Sequence, residues 1–371
     1  METRILSTRG SGALDAAIRE AAEALAAGKL VVFPTETVYG VGVNASSREA
    51  LESLSALKSR TPDKPFTVHI ARPDEAPRYV GPLSRLAQRL TRKCWPGPVA
   101  LVVPDRRAQG AESLIAIPEA VYWQGTAGLR CPDHAVGRAI LAECGVPVVA
   151  SSANLSGRSP PRTAAEAIAD LRGKVDLVID AGPAAYARPS TVIRIREDDS
   201  FEILREGAVT ARRIDRLAKT RILFICSGNM CRSPMAAGLA RKMVADRLGC
   251  EPSVLEDHGI QIASVGTGAF EGERASPDAF QAMEERGVDI SDHRSRPMTV
   301  DALLTADYIW VMTRAHKASV VRLAPEVGDR VALLDPGGDD IPDPIGGTLE
   351  EYRSCARHIE RAMADRIAEM L

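Results

Sequence analysis

A cysteine and an arginine separated by five residues form the most specific chemical pattern in the sequence. Cys226 and Arg232 lie in the segment CSGNMCRSP, which follows the apolar run RILFI and opens a helical pattern. A loop between a strand and a helix N-terminus presents backbone N–H groups and the positive end of the helix dipole to an anion. The pattern therefore predicts a phosphate-binding loop in which a thiol and a guanidinium face one phosphoryl group.

The residue types suggest a role for each position of this loop. We expect Cys226 to be the nucleophile, held as a thiolate, and Arg232 to bind two phosphoryl oxygens and stabilise the transition state. Ser233 is expected to hydrogen-bond the thiolate when it leaves, and Asn229 to brace the loop. These four residues are predicted to be catalytic.

A leaving group needs a proton, and the segment DDIPDPIGGT offers carboxylic acids for this purpose. Its prolines and glycines indicate a stiff, exposed loop that is able to hang over a pocket. Asp343 is the expected general acid, and Asp339 and Asp340 are the weaker alternatives.

The second half of the chain, from about residue 220 to residue 371, resembles the low-molecular-weight protein phosphatases. The resemblance rests on ILFICSGNMCRSPMA, SVGTGAF, DISDHRSRP, DYIWVMTRAH and DIPDPIGG, in that order. It implies a four-stranded parallel sheet, a cysteinyl-phosphate intermediate and no cofactor. It also implies that Cys226 is the nucleophile, Arg232 the phosphate clamp and Asp343 the general acid.

Two features of this resemblance bear on the phosphorylated protein substrate. Met230 stands where phosphotyrosine enzymes of the family carry a bulky apolar residue and where the phosphoarginine branch carries threonine. The acid loop DPIGG is instead closer to the phosphoarginine branch, although Ile345 replaces an aromatic residue. We expect phosphotyrosine hydrolysis, with phosphoarginine as the alternative. Cys231 could form a protective disulfide with Cys226, as the resemblance implies, or be a packed thiol.

Polar clusters at the ends of predicted strands dominate the first half of the chain. Cations and hydroxyls near strand ends suit phosphate or carboxylate binding, and together they suggest an anionic ligand in a cleft. Thr35, Thr37 and Tyr39 are expected to alternate on one face of a strand. No Walker A loop occurs anywhere in the chain, so a nucleotide must be held in another way. The candidate binding residues are Thr35, Thr37, Tyr39, Lys58, Arg60, Lys64, Arg130, Ser152, Asn154, Ser190 and Thr191.

These clusters resemble the YrdC-type threonylcarbamoyl-adenylate synthases over about residues 12–210. The matching segments are FPTETVYGVG, KSRTPDKPF, CWPGPVALVV, GLRCPDHAVG, SSANLSG and PSTVIRI. The resemblance implies a nucleotidyltransferase that joins L-threonine, bicarbonate and ATP, with Mg2+ on the phosphates, and releases pyrophosphate. Its product feeds threonylcarbamoyladenosine formation in tRNA, which a separate transferase machinery completes as an implied partner.

The resemblance also implies which substrate each candidate residue contacts. It implies that Thr35, Thr37 and Tyr39 line the threonine site. The remaining residues are expected around the other groups: Lys58 and Arg60 at the phosphates, Arg130 near the carbamate, Ser152 and Asn154 at the nucleotide or intermediate, and Ser190 and Thr191 at the adenylate end.

Alternating strand and helix patterns in both halves predict an α/β fold. We expect a YrdC-like twisted open α/β sheet with a concave cleft over residues 1–207, and the phosphatase domain with its four-stranded parallel sheet over residues 220–371. The polar, basic segment 208–219 is the expected linker.

Composition narrows the remaining possibilities. The 371 residues are 45% hydrophobic and 26% charged, with a net charge of -2, which argues against disorder and against a nucleic-acid-coating protein. The seven cysteines include no CxxC pair, so neither a disulfide scaffold nor a structural zinc site is expected. No apolar run reaches the length of about 18 residues that a membrane span needs, and a cytoplasmic location without a membrane partner is expected.

Two rival hypotheses remain at this stage. The N-terminal half could be a non-catalytic module that binds a nucleotide or RNA and regulates the phosphatase. The phosphatase half could instead be an interaction domain, but binding alone does not need a nucleophilic cysteine. We expect a multifunctional enzyme with two activities. One is a transferase that acts in tRNA processing, and the other is a hydrolase that dephosphorylates proteins.

Overall fold

The computed structural model describes residues 2–60, 65–110, 115, 117–118 and 121–370. The chain divides into two compact units, Met1–Arg216 and Leu217–Leu371. The division falls inside a helix over Ala211–Ala218, within the segment that the sequence predicts as a linker.

One mixed β-sheet organises the first unit. Its strands are β1 (Arg4–Ser7), β2 (Val31–Phe33), β3 (Gly40–Asn44), β4 (Thr67–His69), β5 (Val99–Pro104), β6 (Tyr122–Trp123), β7 (Thr126–Arg130), β8 (Val148–Ser152), β9 (Leu177–Asp180), β10 (Thr191–Ile195) and β11 (Phe201–Arg205). Their order within the described residues is β1-β9-β2-β3-β8-β4-β7-β5-β10-β11, with β6 paired to β7. The pairs β1–β9, β2–β9, β4–β7 and β5–β10 are parallel and the others antiparallel.

Helices pack against this sheet. They are α1 (Ala13–Ala26), α2 (Arg48–Lys58), α3 (Pro77–Val80), α4 (Arg85–Cys94), α5 (Ala135–Glu143), α6 (Ala164–Leu171) and α7 (Ala211–Ala218), with 3₁₀ turns at Pro73–Glu75 and Arg107–Gln109. The apolar faces of α1 and α5 pack on β2, β8 and β9 in one core, which includes Leu25 of α1, Phe33 of β2 and Ile140 of α5. The predicted open α/β sheet of this half is confirmed.

The segment between β2 and β3 differs from the prediction. Thr35, Thr37 and Tyr39 do not alternate along a strand, because β2 ends at Phe33 and the chain turns before β3 begins at Gly40. The Thr35 hydroxyl donates to the Val38 carbonyl oxygen at 2.6 Å and accepts from the Val38 N–H at 3.3 Å. Because this side chain satisfies the backbone locally, the turn replaces the ladder that a strand would need.

The second unit contains a four-stranded, wholly parallel sheet in the order β13-β12-β14-β15, as predicted. Its strands are β12 (Thr220–Cys226), β13 (Ile260–Gly266), β14 (Tyr308–Val311) and β15 (Val331–Leu333). Its helices are α8 (Arg232–Leu248), α9 (Pro277–Glu284), α10 (Val300–Thr305), α11 (Arg314–Leu323) and α12 (Leu349–Met370), with 3₁₀ turns at Pro252–Val254 and Pro325–Arg330.

The apolar run of β12 explains why this sheet is covered on both faces. Ile222 and Phe224 pack into a core with α8, α9 and α12, whereas Leu223 and Ile225 pack into a second core with α10 and α11. Successive strand residues point to opposite faces, so a continuous apolar run implies burial on both sides. No helix in the described part of the chain is long and apolar enough to cross a membrane.

Candidate active sites

The phosphate loop of the second unit joins the end of β12 to the start of α8. Cys226 is the last residue of β12, is 3% exposed, and receives the Asn229 backbone N–H at 3.3 Å from its Sγ. The Ser233 hydroxyl lies 3.0 Å from the same sulfur. Ser233 Oγ already accepts a hydrogen bond from Asn229 Nδ2 at 2.8 Å, which leaves its proton available for the sulfur.

Asn229 occupies the centre of a bracing network. Its φ of 54° lies in the left-handed region, which asparagine tolerates better than most residues. Its Nδ2 also donates to Ser264 Oγ at 2.9 Å, and its Oδ1 accepts from the Arg296 N–H at 2.8 Å. Its carbonyl oxygen accepts a hydrogen bond at 2.7 Å from Nε2 of His293. The loop is thus held by residues from several parts of the unit.

Burial dominates the protonation of the nucleophile. It raises the pKa of the Cys226 thiol, against which hydrogen bonds from Ser233 and Asn229 and the charge of Arg232 act. The positive end of α8 also favours a negative charge at this position. The predicted thiolate therefore depends on influences that oppose the larger effect of burial.

Arg232 spans the mouth of the loop. Its Nη1 donates to the Ile341 carbonyl oxygen at 3.1 Å, its Nη2 lies 3.3 Å from Ser227 Oγ, and its Nη2 is ion-paired with Asp343. Its Nε is buried and has no hydrogen-bond partner among the described residues. A buried donor without a partner is costly, so this N–H is available for a phosphoryl oxygen.

The acid loop brings Asp343 to the site and keeps the alternative acids away from it. Asp343 contacts Arg232, and its other oxygen accepts from the Ile345 N–H at 3.3 Å. Asp340 instead accepts from the Arg314 N–H at 2.8 Å, at the start of α11. Asp339 is exposed. The structure therefore places Asp343, rather than its two neighbours, against the phosphate clamp.

Two side chains beside this loop were not predicted. Ser227 Oγ lies 2.9 Å from His316 Nε2, and the Thr313 hydroxyl lies 2.9 Å from Nδ1 of the same ring. The segment MTRAH carries Thr313 and His316, but nothing in its spacing indicates that a turn after β14 would bring them to β12. Only the parallel pairing of the two strands makes them neighbours.

The cleft of the first unit crosses a contiguous run of strands from β3 to β11. It encloses about 740 Å³ including its open mouth, and its wall includes Thr35, Tyr39, Arg60, Arg130, Ser152 and Ser190 from the predicted set. Lys64 lies outside the described residues.

Arg130 ties the turn before β3 to the cleft. Its Nη2 donates to Thr37 Oγ1 at 2.7 Å and to the buried carboxylate of Glu36 at 2.9 Å. Its Nε is buried without a partner among the described residues. Tyr39 is anchored apart from these groups, because its hydroxyl donates to the Gly182 carbonyl oxygen at 2.6 Å and accepts from the Ala181 N–H at 3.2 Å.

Lys58 and Asn154 lie behind the cleft wall rather than on it. Lys58, the last residue of α2, donates from Nζ to the Ser152 carbonyl oxygen at 2.8 Å and to the Asn154 carbonyl oxygen. Burial lowers the pKa of Lys58 to about 8. Asn154 Nδ2 donates to the Leu155 and Arg158 carbonyl oxygens at 2.9 and 2.7 Å. Both side chains shape the loop that follows β8.

Arg60 and Ser190 both line the cleft. The Arg60 guanidinium stacks on the Phe66 ring at 4.4 Å and donates to the Pro65 carbonyl oxygen at 2.5 Å. Ser190 accepts from Arg205 at its carbonyl oxygen, at 2.8 Å. Thr191 points away from the cleft: its hydroxyl donates to the Val209 carbonyl oxygen at 2.6 Å and accepts N–H bonds from Gly207 and Val209, each at 3.0 Å.

The cleft also contains residues that sequence reasoning missed. Arg205 lines it, and burial together with the nearby Arg130 lowers the pKa of Arg205. His69 lines it as well, and burial together with Arg130 lowers the pKa of His69 to about 3. Its Nδ1 lies 3.0 Å from the Thr67 carbonyl oxygen, which only accepts, so the ring carries its proton on Nδ1 and presents Nε2 as an acceptor. The segment FTVHIA contains this histidine, but its apolar pattern indicates only a strand.

Two family models match the chain in succession. Residues 23–207 match Sua5_yciO_yrdC, described as telomere recombination, and residues 221–370 match the low molecular weight phosphotyrosine protein phosphatases. The two matches follow one another without overlap, in the same order as the two compact units.

Relatives match each half separately. A threonylcarbamoyl-AMP synthase of Bacillus subtilis is 36% identical over 206 residues, 54% of this chain and 56% of that protein. A putative threonylcarbamoyl-AMP synthase of Mycobacterium tuberculosis is 36% identical over 202 residues, 53% of this chain and 87% of that protein. A protein-arginine-phosphatase of Geobacillus stearothermophilus is 36% identical over 155 residues, 41% of this chain and 95% of that protein. The chain thus spans just over half the length of the Bacillus subtilis relative.

A solved structure supports the fold. The structure of P. abyssi Sua5 complexed with L-threonine superposes with a TM-score of 0.52 at 20% identity, covering 98% of each chain. The family matches, together with relatives that this chain matches over most of their own length, identify it as a member of two families, Sua5/YciO/YrdC in its first half and the low-molecular-weight protein phosphatases in its second.

Proposed function

We propose that the chain is a bifunctional enzyme with one activity in each half. Residues 1–207 form a threonylcarbamoyl-AMP synthase, residues 220–371 form a protein phosphatase, and residues 208–219 connect them. The support is the order of the two family matches, which follows the order of the two compact units.

The synthase reaction needs three anionic or polar reactants in one cleft. The L-threonine amine attacks carbon dioxide derived from bicarbonate and loses a proton to give a carbamate. A carbamate oxygen then attacks the α-phosphorus of ATP, and the bond to the pyrophosphate leaving group breaks. The products are threonylcarbamoyl-AMP and pyrophosphate, and the protein contributes chiefly position and charge neutralisation.

The observation that carries this proposal is the set of guanidinium groups on one cleft wall. Arg60, Arg130 and Arg205 line the same cleft, and Arg130 is paired with the buried carboxylate of Glu36. The free Nε of Arg130 suits a carboxylate or carbamate oxygen. Thr35 and Ser190 add hydroxyls along the wall, whereas Lys58, Asn154 and Thr191 set the shape of the loops that bear the contacts.

Mg2+ enters this proposal as part of the ATP substrate. The described residues contain no group of three or more His, Cys, Asp or Glu side chains arranged to hold a metal ion. Glu36 is engaged by Arg130 and by the Asp133 N–H at 3.0 Å. The donor set of the cleft therefore suits phosphates that carry their own Mg2+.

Threonine-dependent pyrophosphate release tests the synthase proposal. The full-length protein is incubated with ATP, L-threonine, bicarbonate and Mg2+, with D-threonine as the matched control. Release that requires L-threonine and bicarbonate supports the synthase. Binding of ATP without turnover would instead assign the first half to the nucleotide-binding module that competes with this proposal.

The phosphatase reaction proceeds in two displacement steps. Cys226 Sγ attacks the phosphorus, the bond to the leaving group breaks, and Asp343 gives that group its proton. Water then attacks the cysteinyl phosphate, Asp343 takes a proton from the water, and the S–P bond breaks to release inorganic phosphate. The carrying observation is the juxtaposition of the Cys226 sulfur, the partnerless Nε of Arg232 and the Asp343 carboxylate.

Substitution of the nucleophile tests this mechanism. Cys226→Ser is expected to abolish release of phosphate from an aryl phosphate, while Cys250→Ser, at a half-buried thiol, leaves it unchanged. Mass spectrometry of acid-quenched wild-type protein should find one added phosphoryl group on the peptide that contains Cys226. Activity that persists in Cys226→Ser would refute the mechanism.

We propose phosphotyrosine as the protein substrate, because the apolar Met230 side chain packs against the core of the unit beside the loop. Phosphoarginine is the second candidate, since a protein-arginine-phosphatase is 36% identical over most of its length. Matched peptides carrying either residue, compared by kcat/KM, decide between them. A Met230→Thr variant that raises the phosphoarginine rate relative to phosphotyrosine would assign the preference to this position.

A further inference from the structure

Ser227, the second residue of the phosphate loop, has a hydroxyl that no step above uses. Its Oγ lies 3.3 Å from Arg232 Nη2 and 2.9 Å from His316 Nε2. The side chain is exposed at the mouth of the loop, on the side where Asp343 meets Arg232. It therefore stands between the phosphate clamp and a buried imidazole.

His316 is held by a second hydroxyl on its other nitrogen. The Thr313 Oγ1 caps α11 by accepting the His316 backbone N–H at 3.3 Å, and it lies 2.9 Å from His316 Nδ1. With the hydroxyl oxygen already accepting, donation of its proton to Nδ1 satisfies both groups. The neutral ring then carries its own proton on Nε2, facing Ser227.

With the ring protonated at Nε2, the hydrogen bonds around Ser227 can be counted. Arg232 Nη2–H and His316 Nε2–H then both donate to Oγ and together occupy its two lone pairs. In this tautomer the hydroxyl proton has no acceptor among the described residues. It is left to point at whatever anion enters the loop.

We propose that Ser227 is an additional phosphoryl-binding residue, and that His316 is a positioning residue that orients the Ser227 hydroxyl as a donor to a phosphoryl oxygen. This proposal rests on the phosphatase function proposed above and adds one oriented donor to the backbone N–H groups and Arg232. Hydrogen bonds to charged acceptors are the strong ones, so the donor is worth most when the phosphoryl group is bound.

Burial and one neighbouring cation keep the His316 ring neutral. Arg232 faces His316 from the loop, and Asp343 and Asp340 face it from the acid loop. Burial and the Arg232 charge outweigh the two carboxylates and lower the pKa of His316 to about 4. The donor arrangement therefore persists across the neutral pH range.

Oxyanion binding by the full-length protein tests the pair. The variants are Ser227→Ala, His316→Leu and the double variant, with Ser319→Ala on α11 as the matched control. Ser227→Ala is expected to weaken orthovanadate binding and to lower kcat/KM for an aryl phosphate, each on the order of tenfold, the value of one hydrogen bond to a charged group. His316→Leu should have a similar effect, and the double variant should be no worse than Ser227→Ala alone.

Additive losses in the double variant would overturn the proposal, because His316 would then act independently of Ser227. Unchanged vanadate affinity in Ser227→Ala would overturn it as well. His316→Gln, whose amide N–H can still donate to Ser227, is expected to recover part of the loss. Thermal unfolding of each variant identifies any that fail to fold.

A spectroscopic measurement addresses the ring directly. ¹⁵N NMR of labelled wild-type protein, with the His316 signals assigned from their loss in His316→Leu, should show a neutral ring protonated at Nε2 between about pH 5 and 8. A ring protonated at Nδ1 would refute the proposal. This readout and the vanadate affinity need no turnover, so an inactive wild-type protein would defeat the proposed phosphatase function while these measurements still decide the role of Ser227.

Discussion

The carboxylate of Asp343 pairs with the guanidinium of Arg232, the group that we propose as the clamp for the phosphoryl group of a substrate. Arg232 has a side chain that is 5% exposed, whereas that of Asp343 is 37% exposed. The buried partner is fixed by the Ile341 carbonyl oxygen, so the exposed partner is the one free to move. A phosphoryl dianion that binds Arg232 must therefore displace Asp343, the carboxyl group to which the proposed mechanism gives the proton transfer.

Replacing Asp343 should therefore separate binding from catalysis. Asp343→Asn is expected to lower kcat for an alkyl phosphate by about 10²–10³-fold, the usual contribution of a general acid. It should tighten the binding of orthovanadate, because the anion no longer competes with a carboxylate for Arg232. Steady-state kinetics and vanadate inhibition measure the two effects.

Asp339→Asn provides the control for this comparison, since Asp339 lies in the same loop and is exposed. It should leave both quantities near their wild-type values. Weaker vanadate binding in Asp343→Asn would contradict the competition between carboxylate and phosphoryl group.

The phosphatase loop was predictable because its determinants are local. The apolar run before Cys226, the thiol and guanidinium that frame the loop and the helix start at Arg232 all lie in one continuous segment. Asn229 and Ser233 lie there too, so their mutual contact follows from the loop itself. Only groups from elsewhere, such as His293 and His316, needed the fold to bring them in.

The sequence of the first half predicts which residues belong to the region of the cleft, but not which of them line it. A polar residue after a strand can line a cleft or brace the loop behind it, and sequence spacing does not distinguish these outcomes. Lys58 and Thr191 hold loops in place, because buried carbonyl and N–H groups of segments distant in the sequence need hydrogen-bond partners. His69 and Arg205 line the cleft because the order of the strands places β4 and β11 on one wall.

Substitutions of Thr191 and Ser190 should distinguish a residue that stabilises a loop from a residue that lines the cleft. Thr191→Val should lower the free energy of unfolding of the first unit by about 1–3 kcal/mol, because it leaves the Val209 carbonyl and two N–H groups without their buried partner. The KM for ATP should change little. Ser190→Ala should reverse this pattern, with normal stability and a raised KM. Denaturant unfolding and pyrophosphate release measure both.

Equal effects of the two substitutions on KM would contradict the distinction. Such a result would place the Thr191 hydroxyl in contact with the substrate, contrary to its three contacts with the 207–209 backbone.

His69 should make the first unit sensitive to acid. Its pKa is about 3 in the folded protein, below the ordinary value of 6.5, so between these values the unfolded chain binds a proton that the folded chain does not. Stability therefore falls as the pH falls from 6.5 towards 3, by up to about 1.4 kcal/mol per pH unit for one proton. Hydrogen exchange of the β4 amides against pH measures this slope.

His69→Asn should remove the contribution of that proton while keeping a polar side chain at the cleft wall. The slope for β4 should then flatten, and that for β12 in the other unit should not change. An unaltered β4 slope in His69→Asn would assign the acid sensitivity to other groups.

Lys58 should impose an alkaline limit on the synthase. Its pKa is about 8, lowered by burial from 10.5, so its ammonium is lost as the pH rises through 8. The ammonium holds the Ser152 and Asn154 carbonyl oxygens, and its loss should loosen the loop after β8 and raise the KM for ATP. Unfolding does not explain such a change, because between pH 8 and 10.5 the unfolded chain binds more protons than the folded one and linkage makes stability rise with pH.

Lys58→Arg keeps its charge throughout this range, and its KM should stay flat above pH 8 in pyrophosphate-release assays. A wild-type KM that also stays flat to pH 9.5, or a Lys58→Arg variant that retains the rise, would show that the Lys58 ammonium does not control the site.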